Sequence, residues 1–424
     1  MSASRTPFSI GAVKNSLLVR NSLWSLLGFG LRAIIQGIYF VIIARALGPD
    51  GYGAFVGVVA LVALVAPFAG VGMGNILIRN VARNRETLAE SWGSGIVAVV
   101  LSGSLLVLLI LITSALILPS AIPVALTVSV CLSDILFFKL VDLSGQAFQA
   151  VQQLRETAAL PVILSAVRLI AAVTLLVAGS SSPTAWGMLY CGSSALSAVL
   201  AVALVQVRLG APRFRLAAIG ENLKEGFAFS ISLAAQNTYN DLDKTMLASL
   251  STLGAAGIYA AAYRIVDVSF TPVRAVLFAS YARFFQHGVG GVRSAFGFAK
   301  RLLPIATIYG TIASAGLFAG AGLVPALLGS RYATTVDALR WLALLPFLKT
   351  LHYFVADTLT GSGYQWLRST IQVLVAVTNV GLNLWLIPLH SWRGAAWASL
   401  ASDSLLAICL WLAVLAVWPK RSAP

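Results

Sequence analysis

A chain of 424 residues with 59% hydrophobic and only 10% charged residues is not an ordinary soluble domain, in which about 25% of residues are charged. Its net charge of +15 invites a nucleic-acid reading, but the placement of the basic residues answers to a membrane instead. Cys131, Cys191 and Cys409 all lie in apolar runs, and the three histidines are scattered, so neither a disulfide set nor a metal spacing is present in the sequence.

From the N-terminus, residues 1–20 are basic and polar and lack the apolar core and cleavage site of a secretory signal. The chain then repeats one pattern about twelve times: about 20 apolar residues, the length an α-helix needs to cross hydrocarbon with its backbone satisfied, followed by a short break. The expected spans are roughly 22–44, 52–78, 91–118, 122–149, 158–178, 184–206, 226–250, 254–281, 302–327, 338–360, 366–388 and 394–418. The fold class is therefore all-α, a polytopic integral membrane protein. Its connections are too short to house a catalytic domain, and no P-loop sequence is present, which argues against an ATP-driven pump or a receptor kinase.

The spans sort the basic residues. Eighteen of the 29 Lys and Arg fall in the connections that share a side with both termini, four fall on the other side (Arg45, Arg331, Arg340 and Arg393), and seven lie within spans. The positive-inside rule then puts both termini in the cytoplasm. Trp92, Trp186, Trp341, Trp366, Trp392 and Trp418 sit near span ends, as interfacial aromatic belts require.

Leu47-Gly48-Pro49-Asp50-Gly51 follows the first span, and Leu253-Gly254-Ala255-Ala256-Gly257 follows the seventh, half a chain later. Six spans per half is an even number, so both halves enter the membrane the same way, as in parallel repeats about an axis along the membrane normal. The expected organisation is an N-terminal six-helix lobe (1–210), a cytoplasmic linker (211–225) and a C-terminal six-helix lobe (226–424).

Several motifs in order resemble one known family. The run Ile43-Ala44-Arg45-Ala46-Leu47-Gly48-Pro49-Asp50-Gly51-Tyr52-Gly53 is similar to the first loop of the polysaccharide-biosynthesis (Wzx-like) flippases. These belong to the multidrug/oligosaccharidyl-lipid/polysaccharide (MOP) exporter superfamily, which also contains the MATE exporters. Gly70-Val71-Gly72 with Ile78-Arg79, Asn240-Asp241-Leu242-Asp243-Lys244 with Gly257-Ile258-Tyr259, and Leu327-Leu328-Gly329 with Tyr332 also resemble that family. So does Asn379 with Leu382-Asn383-Leu384 and Ile387-Pro388. The resemblance implies a MATE/MOP-like fold in the bacterial inner membrane. It also implies transport, without catalysis, of undecaprenyl-pyrophosphate-linked oligosaccharide for a surface polysaccharide such as the O-antigen of lipopolysaccharide. Twelve spans depart from the fourteen typical of lipid II flippases.

A pyrophosphate needs fixed cations along its path, and ionisable residues inside spans are costly enough to mark function. Arg32, Arg168, Arg274 and Lys349 sit within spans without a carboxylate three or four residues away, and are the candidate substrate-binding residues. Interhelical ion pairing is the structural alternative for them. Lys139 with Asp142, Asp241 with Lys244, and Arg264 with Asp267 are each three apart and read as same-helix pairs. Asn237, Asn240, Asp241, Asp243, Asp267, His352 and Asp357, with Gln236, are the candidate polar lining or coupling groups. No cofactor or metal is expected; H+ or Na+ coupling is compatible with the buried carboxylates. Expected partners are the lipid-linked oligosaccharide, membrane lipids and the polysaccharide polymerase machinery, with no nucleic acid. The competing readings are a cation-coupled multidrug exporter, a glycan polymerase and a membrane scaffold for envelope assembly.

Overall fold

A computed structural model describes residues 17–215 and 217–418; side chains before residue 28 and many between 217 and 239, Gln236 among them, lie outside the described set. The terminal basic residues Arg5, Lys14, Lys420 and Arg421 are also outside it. Among the described residues all regular structure is helical. In chain order the helices are α1 (Leu17–Val65), α2 (Met73–Arg83), α3 (Leu88–Ile117), α4 (Val124–Ala150), α5 (Leu154–Val177), α6 (Pro183–Leu209) and α7 (Ala217–Leu250). They continue as α8 (Leu253–Ser269), α9 (Thr271–Gly288), α10 (Gly291–Gly320), α11 (Val324–Leu328), α12 (Thr335–Leu342), α13 (Leu345–Gly361), α14 (Gln365–His390) and α15 (Trp392–Ala416).

Each expected span meets a helix or a pair of helices. By length and composition alone, eight stretches among the described residues are long and apolar enough to cross a bilayer. One of these, Gly30–Arg83, contains two expected spans, because α1 breaks at Gly48 (φ 67°) and turns back. The three spans outside that set are α7, α8–α9 and α12–α13, which carry most of the intramembrane charges. They can be less apolar because their polar faces turn into the bundle and away from lipid. Leu105, Ile112, Leu116, Ile170, Ile305 and Trp366 instead point outward, an apolar coat that lipid covers.

Three spans drawn from the sequence as continuous are interrupted. Span two stops at Val65, and Gly70, Val71 and Gly72 all have positive φ (78°, 45° and 67°) before α2 resumes. Val71 is strained there, since a β-branched residue rarely adopts this region. Span eight breaks at Phe270, where Pro272 opens the first turn of α9, a position that needs no N–H from it. Span ten divides between α12 and α13. Spans two and eight occupy corresponding places in the two halves, and paired interruptions of this kind surround binding sites in repeat-built transporters.

Local cores form within each half. Trp92, Phe148, Leu143 and Val205 pack among α3, α4 and α6, whereas Phe270, Phe284, Phe354 and Leu410 pack among α9, α13 and α15. A further core joins the halves through Phe40, Tyr52 and Phe55 of α1 with Tyr259 and Tyr263 of α8.

On the face opposite the chain ends, the halves meet closely. A Cβ on Gly53 would overlap the Leu253 carbonyl, and one on Gly257 would overlap the Pro49 carbonyl, so the two repeat-related turns cross backbone to backbone. Arg45 donates to the Ala326 and Leu327 carbonyls at the end of α11, where a cation suits the exposed carbonyls of a helix C-terminus. The Tyr332 hydroxyl donates to the Ala44 carbonyl at 3.0 Å. On the terminal face, residues 211–215 run extended and are strapped to the start of α3: Arg213 N–H donates to Ala89 O at 2.8 Å, and Arg215 bridges Glu90 and Glu221, each at 2.9 Å.

Candidate functional site

A cavity of about 190 Å³ lies between the two arms of α1, α6, α7 and α8. Its polar wall is made by Tyr39, Tyr52, Tyr190 and Tyr263 together with Asp241, Lys244, Arg264 and Asp267. The i, i+4 spacing of Tyr259, Tyr263 and Asp267 puts them on one face of α8, and Arg264 lies beside that face.

The four cations singled out in the sequence do not themselves line the cavity; three stand behind its tyrosines and carboxylates. Arg168 is buried on α5, with Nη2 at 3.1 Å from Asp134 Oδ1 and 3.0 Å from Ser194 Oγ, and its guanidinium lies 4.0 Å from the centre of the Tyr190 ring. The Tyr190 hydroxyl donates to the same carboxylate at 3.0 Å. Lys349, on α13, donates to the Tyr263 hydroxyl at 2.9 Å and lies 4.0 Å from Asp267. Arg274 folds back across the α8–α9 break to Asp267 at 2.6 Å. Arg32, on the first arm of α1, makes no ion pair or hydrogen bond among the described residues, and its electrostatic neighbours include Arg168 and Arg264.

Two of the three same-helix pairs form: Lys139–Asp142 at 3.7 Å and Lys244–Asp241 at 3.0 Å. The third does not. Arg264 donates instead to Gln36 of the other half at 2.9 Å, because Asp267 is already engaged by Arg274 and Lys349. Lys244 is also more than a pair member, since it faces the cavity over the Tyr263 ring at 4.3 Å. Sequence reasoning thus missed Lys244 and Arg264 as cavity cations, and the four tyrosines altogether.

The remaining candidates divide. Asn237 donates to the Ala63 carbonyl at 2.9 Å and ties α7 to α1, and the Asn240 carbonyl accepts from Lys244 at 2.7 Å. Asp243 lies 3.3 Å from Lys244 and accepts from the Tyr259 hydroxyl, which lies 2.9 Å from Ser399 Oγ. His352 and Asp403 pair at 2.9 Å, both buried. Asp357 pairs with Arg368 at 3.2 Å, away from the cavity. Among the described residues no group of three or more His, Cys, Asp or Glu is placed to hold a metal ion.

The charges around the cavity do not cancel. In and behind its wall, the cations Arg32, Arg168, Lys244, Arg264, Arg274 and Lys349 outnumber the carboxylates Asp134, Asp241, Asp243 and Asp267, with Asp403 next behind Tyr259 and Tyr263. Of the next carboxylates out, Asp142 is ion-paired with Lys139 and Asp403 is hydrogen-bonded to His352. The two cations without a carboxylate within ion-pair distance are Arg32 and Arg264. Guanidinium groups bind phosphates well, through a planar fork of donors and weak hydration.

The family model described as polysaccharide biosynthesis protein matches residues 18–278, more than half of the chain. The chain belongs to this family. A putative O-antigen transporter of Shigella flexneri is 33% identical over 73 residues, so the matched stretch is 17% of each protein. Among solved structures, an inward-facing MATE multidrug resistance transporter of the MOP superfamily superposes with a TM-score of 0.74 at 15% identity, covering 92% of this chain and 96% of that one. The lipid II flippase MurJ, in an inward closed conformation, superposes with a TM-score of 0.71 at 14% identity, over 94% and 87% of the two chains. An outward-facing MATE transporter gives 0.63 at 12% identity, over 99% and 100%. This polysaccharide biosynthesis family member is therefore a multi-pass membrane protein with the MOP transporter fold.

Proposed function

We propose that this protein moves an undecaprenyl-pyrophosphate-linked oligosaccharide across the bacterial inner membrane by alternating access, with both termini in the cytoplasm. The observation that carries the reading is that two cations beside the cavity between the halves, Arg32 and Arg264, have no carboxylate within ion-pair distance. A pyrophosphate diester supplies two negative charges, whereas the cationic drugs of multidrug exporters would be repelled. Family membership and the O-antigen relative point the same way. In this reading Arg264 and Lys244 meet the pyrophosphate first, with Arg32, Arg168, Arg274 and Lys349 supplying field from outside the wall.

At about 190 Å³ the cavity is below the ~300–1,000 Å³ typical of small-ligand sites, so substrate entry requires the halves to part. We take the moving units as lobes 1–210 and 226–424 joined by 211–225, with the Gly53–Gly257 crossing as the contact that opens toward the periplasm. No bond is broken in this scheme and no cofactor is needed. The lipid-linked glycan is the working partner, handed on to polysaccharide polymerase machinery.

Reconstitution in liposomes with a panel of undecaprenyl-pyrophosphate glycans, scored for translocation, is the deciding experiment. Translocation of none of them, with uptake of cationic drugs instead, would replace this reading with the multidrug one. Imposed H+ and Na+ gradients in the same liposomes tell coupled from uncoupled movement. Reporter fusions at Ser120 and Ser181 should read periplasmic and one at Gly210 cytoplasmic; a cytoplasmic signal at Ser181 would reverse the orientation.

A further inference from the structure

Basic residues on the face that carries the termini are treated differently in the two halves. In the N-terminal half Arg208 pairs with Glu156 at 3.3 Å, and Arg215 pairs with Glu90 and Glu221. In the C-terminal half no Asp or Glu occurs between Asp267 and Asp337, and Arg293, Lys300 and Arg301 at the start of α10 form no ion pair among the described residues. Two of these cations rest on aromatic rings instead. Arg293 lies 5.7 Å from the centre of the Trp418 ring, just past α15, and Lys300 lies 5.2 Å from the centre of the Phe296 ring. Phe296 meets Trp411 and Trp418 edge-on, each at 5.6 Å, and so joins the start of α10 to the end of α15. Such contacts hold a cation in place while leaving its N–H donors free.

Beyond these cations both helices face lipid. Arg301, Ile305, Ile308 and Ile312 recur at helical spacing along one side of α10, and all four are exposed. Ile408, Leu412 and Leu415 form a similar exposed stripe on α15, which ends near Trp418. From Arg301 to Ile312 the helix rises about 16 Å, half of the roughly 30 Å hydrocarbon thickness. The stripe is thus one leaflet deep, and the cations stand at the level of the phosphates. Gly297 lies one turn from Arg293 and one turn from Arg301 on the same side. It is exposed, and a Cβ there would meet nothing within 4 Å beyond its own helix, so the cations border an open notch.

We propose that this notch binds the head group of an anionic phospholipid whose acyl chains lie along the α10 and α15 stripes. Placement decides the ligand class. Three cations without carboxylates attract a phosphate, and apolar stripes one leaflet long attract the chains. A soluble anion would use only the cations, and a zwitterionic lipid brings no net charge to neutralise them. The site depends on neither the substrate nor the orientation proposed above, because both leaflets of a bilayer present phosphates at this depth.

The test titrates the full-length protein, purified in mild detergent, with phosphatidylglycerol and with phosphatidylcholine of the same acyl chains, and follows bound lipid by native mass spectrometry. Phosphatidylglycerol should bind more tightly. The triple change Arg293→Gln, Lys300→Gln and Arg301→Gln should weaken it about 100-fold, to the level of phosphatidylcholine. A control that loses the same charge at exposed positions on the same face, Arg83→Gln, Arg208→Gln and Arg213→Gln, should weaken it by no more than about threefold. Gly297→Leu keeps every charge and fills the notch. At an exposed helical position with open space it leaves folding intact, and it should weaken binding about tenfold. Equal affinity for the two lipids, equal losses in the triple variant and the control, or unchanged binding in Gly297→Leu would overturn the site. Displacement of the lipid by inorganic phosphate or by a polyglutamate peptide would give the patch to a soluble anion and overturn it as well.

Discussion

Two clusters of buried charge, one around Asp134 and one around Asp267, share their carboxylates differently. In the N-terminal half, Arg168 and Asp134 match one for one, and Tyr190, Ser133 and Ser194 complete the shell. In the C-terminal half, Asp267 serves both Arg274 and Lys349, and Arg264 is left to a neutral glutamine from across the seam. A balanced cluster holds helices together and has nothing to offer a ligand. A cluster with surplus cations is costly until an anion arrives, and that cost is what a binding site for a phosphate group requires.

The sharpest way to break this contrast is to unbalance the balanced cluster. Asp134→Ala strands a buried guanidinium and should cost about 3–5 kcal/mol, seen as a large drop in thermal midpoint in detergent. The double change Asp134→Leu with Arg168→Met should restore most of it. A single mutant of normal stability that has lost export would move Arg168 from structure to the substrate path.

Next in size is the crossing of the repeats. Gly53→Leu places a side chain against the Leu253 and Gly257 backbone and should cost about 1–3 kcal/mol while separating the halves on that face. Cysteines placed at Asp50 and Gly254, whose Cβ would lie 2.9 Å from an Asp50 oxygen, should cross-link readily in the parent and poorly in the Gly53→Leu background. Unchanged cross-linking would mean that this contact does not close the face.

Smaller in stability but larger in function is the surplus cation itself. Arg264→Ala removes one hydrogen bond to a neutral partner and should change stability by about 1 kcal/mol or less. Translocation of a lipid-linked glycan should nevertheless fall about 10–100-fold, the worth of hydrogen bonds to a charged group. Arg32→Ala should behave alike, and normal translocation in the double mutant would sink the cationic site.

The smallest effect is expected at the linker. Arg215 is exposed and held above its ordinary pKa by its hydrogen bond to Glu90 and by Glu221. Water and salt screen such pairs, so Arg215→Gln should leave the thermal midpoint unchanged at physiological ionic strength. A clear drop there would show that the strap between residues 211–215 and α3 governs how the halves are held.

Much of this architecture was legible beforehand. Apolar run length gave the helices, and the recurring Leu-Gly turn marked the two places that meet at Gly53 and Gly257. The Lys139–Asp142 and Asp241–Lys244 pairs followed from helical spacing. The interruption of span two was less legible, because glycines such as Gly70 and Gly72 within an apolar run fit close packing as well as a kink, and only the positive φ of residues 70–72 distinguishes them. The cavity tyrosines were missed because an aromatic residue in an apolar helix looks like core or lipid contact until its neighbours are known.

The sequence by itself determined that the chain is an all-helical membrane protein, roughly where its apolar spans lie, and that scarce charges are placed inside it. These properties are local: run length, periodicity and turn chemistry act within one helix or one connection. Tertiary structure alone decided which charges are spent and which remain. Asp267 has Arg264 one turn away on its own helix, yet it takes Arg274 from beyond a break and Lys349 from another helix. That choice frees Arg264 to reach Gln36 in the other half. Ion pairing depends on distance in space and on competition among all cations within reach, and helical periodicity reports only those on the same face of the same helix.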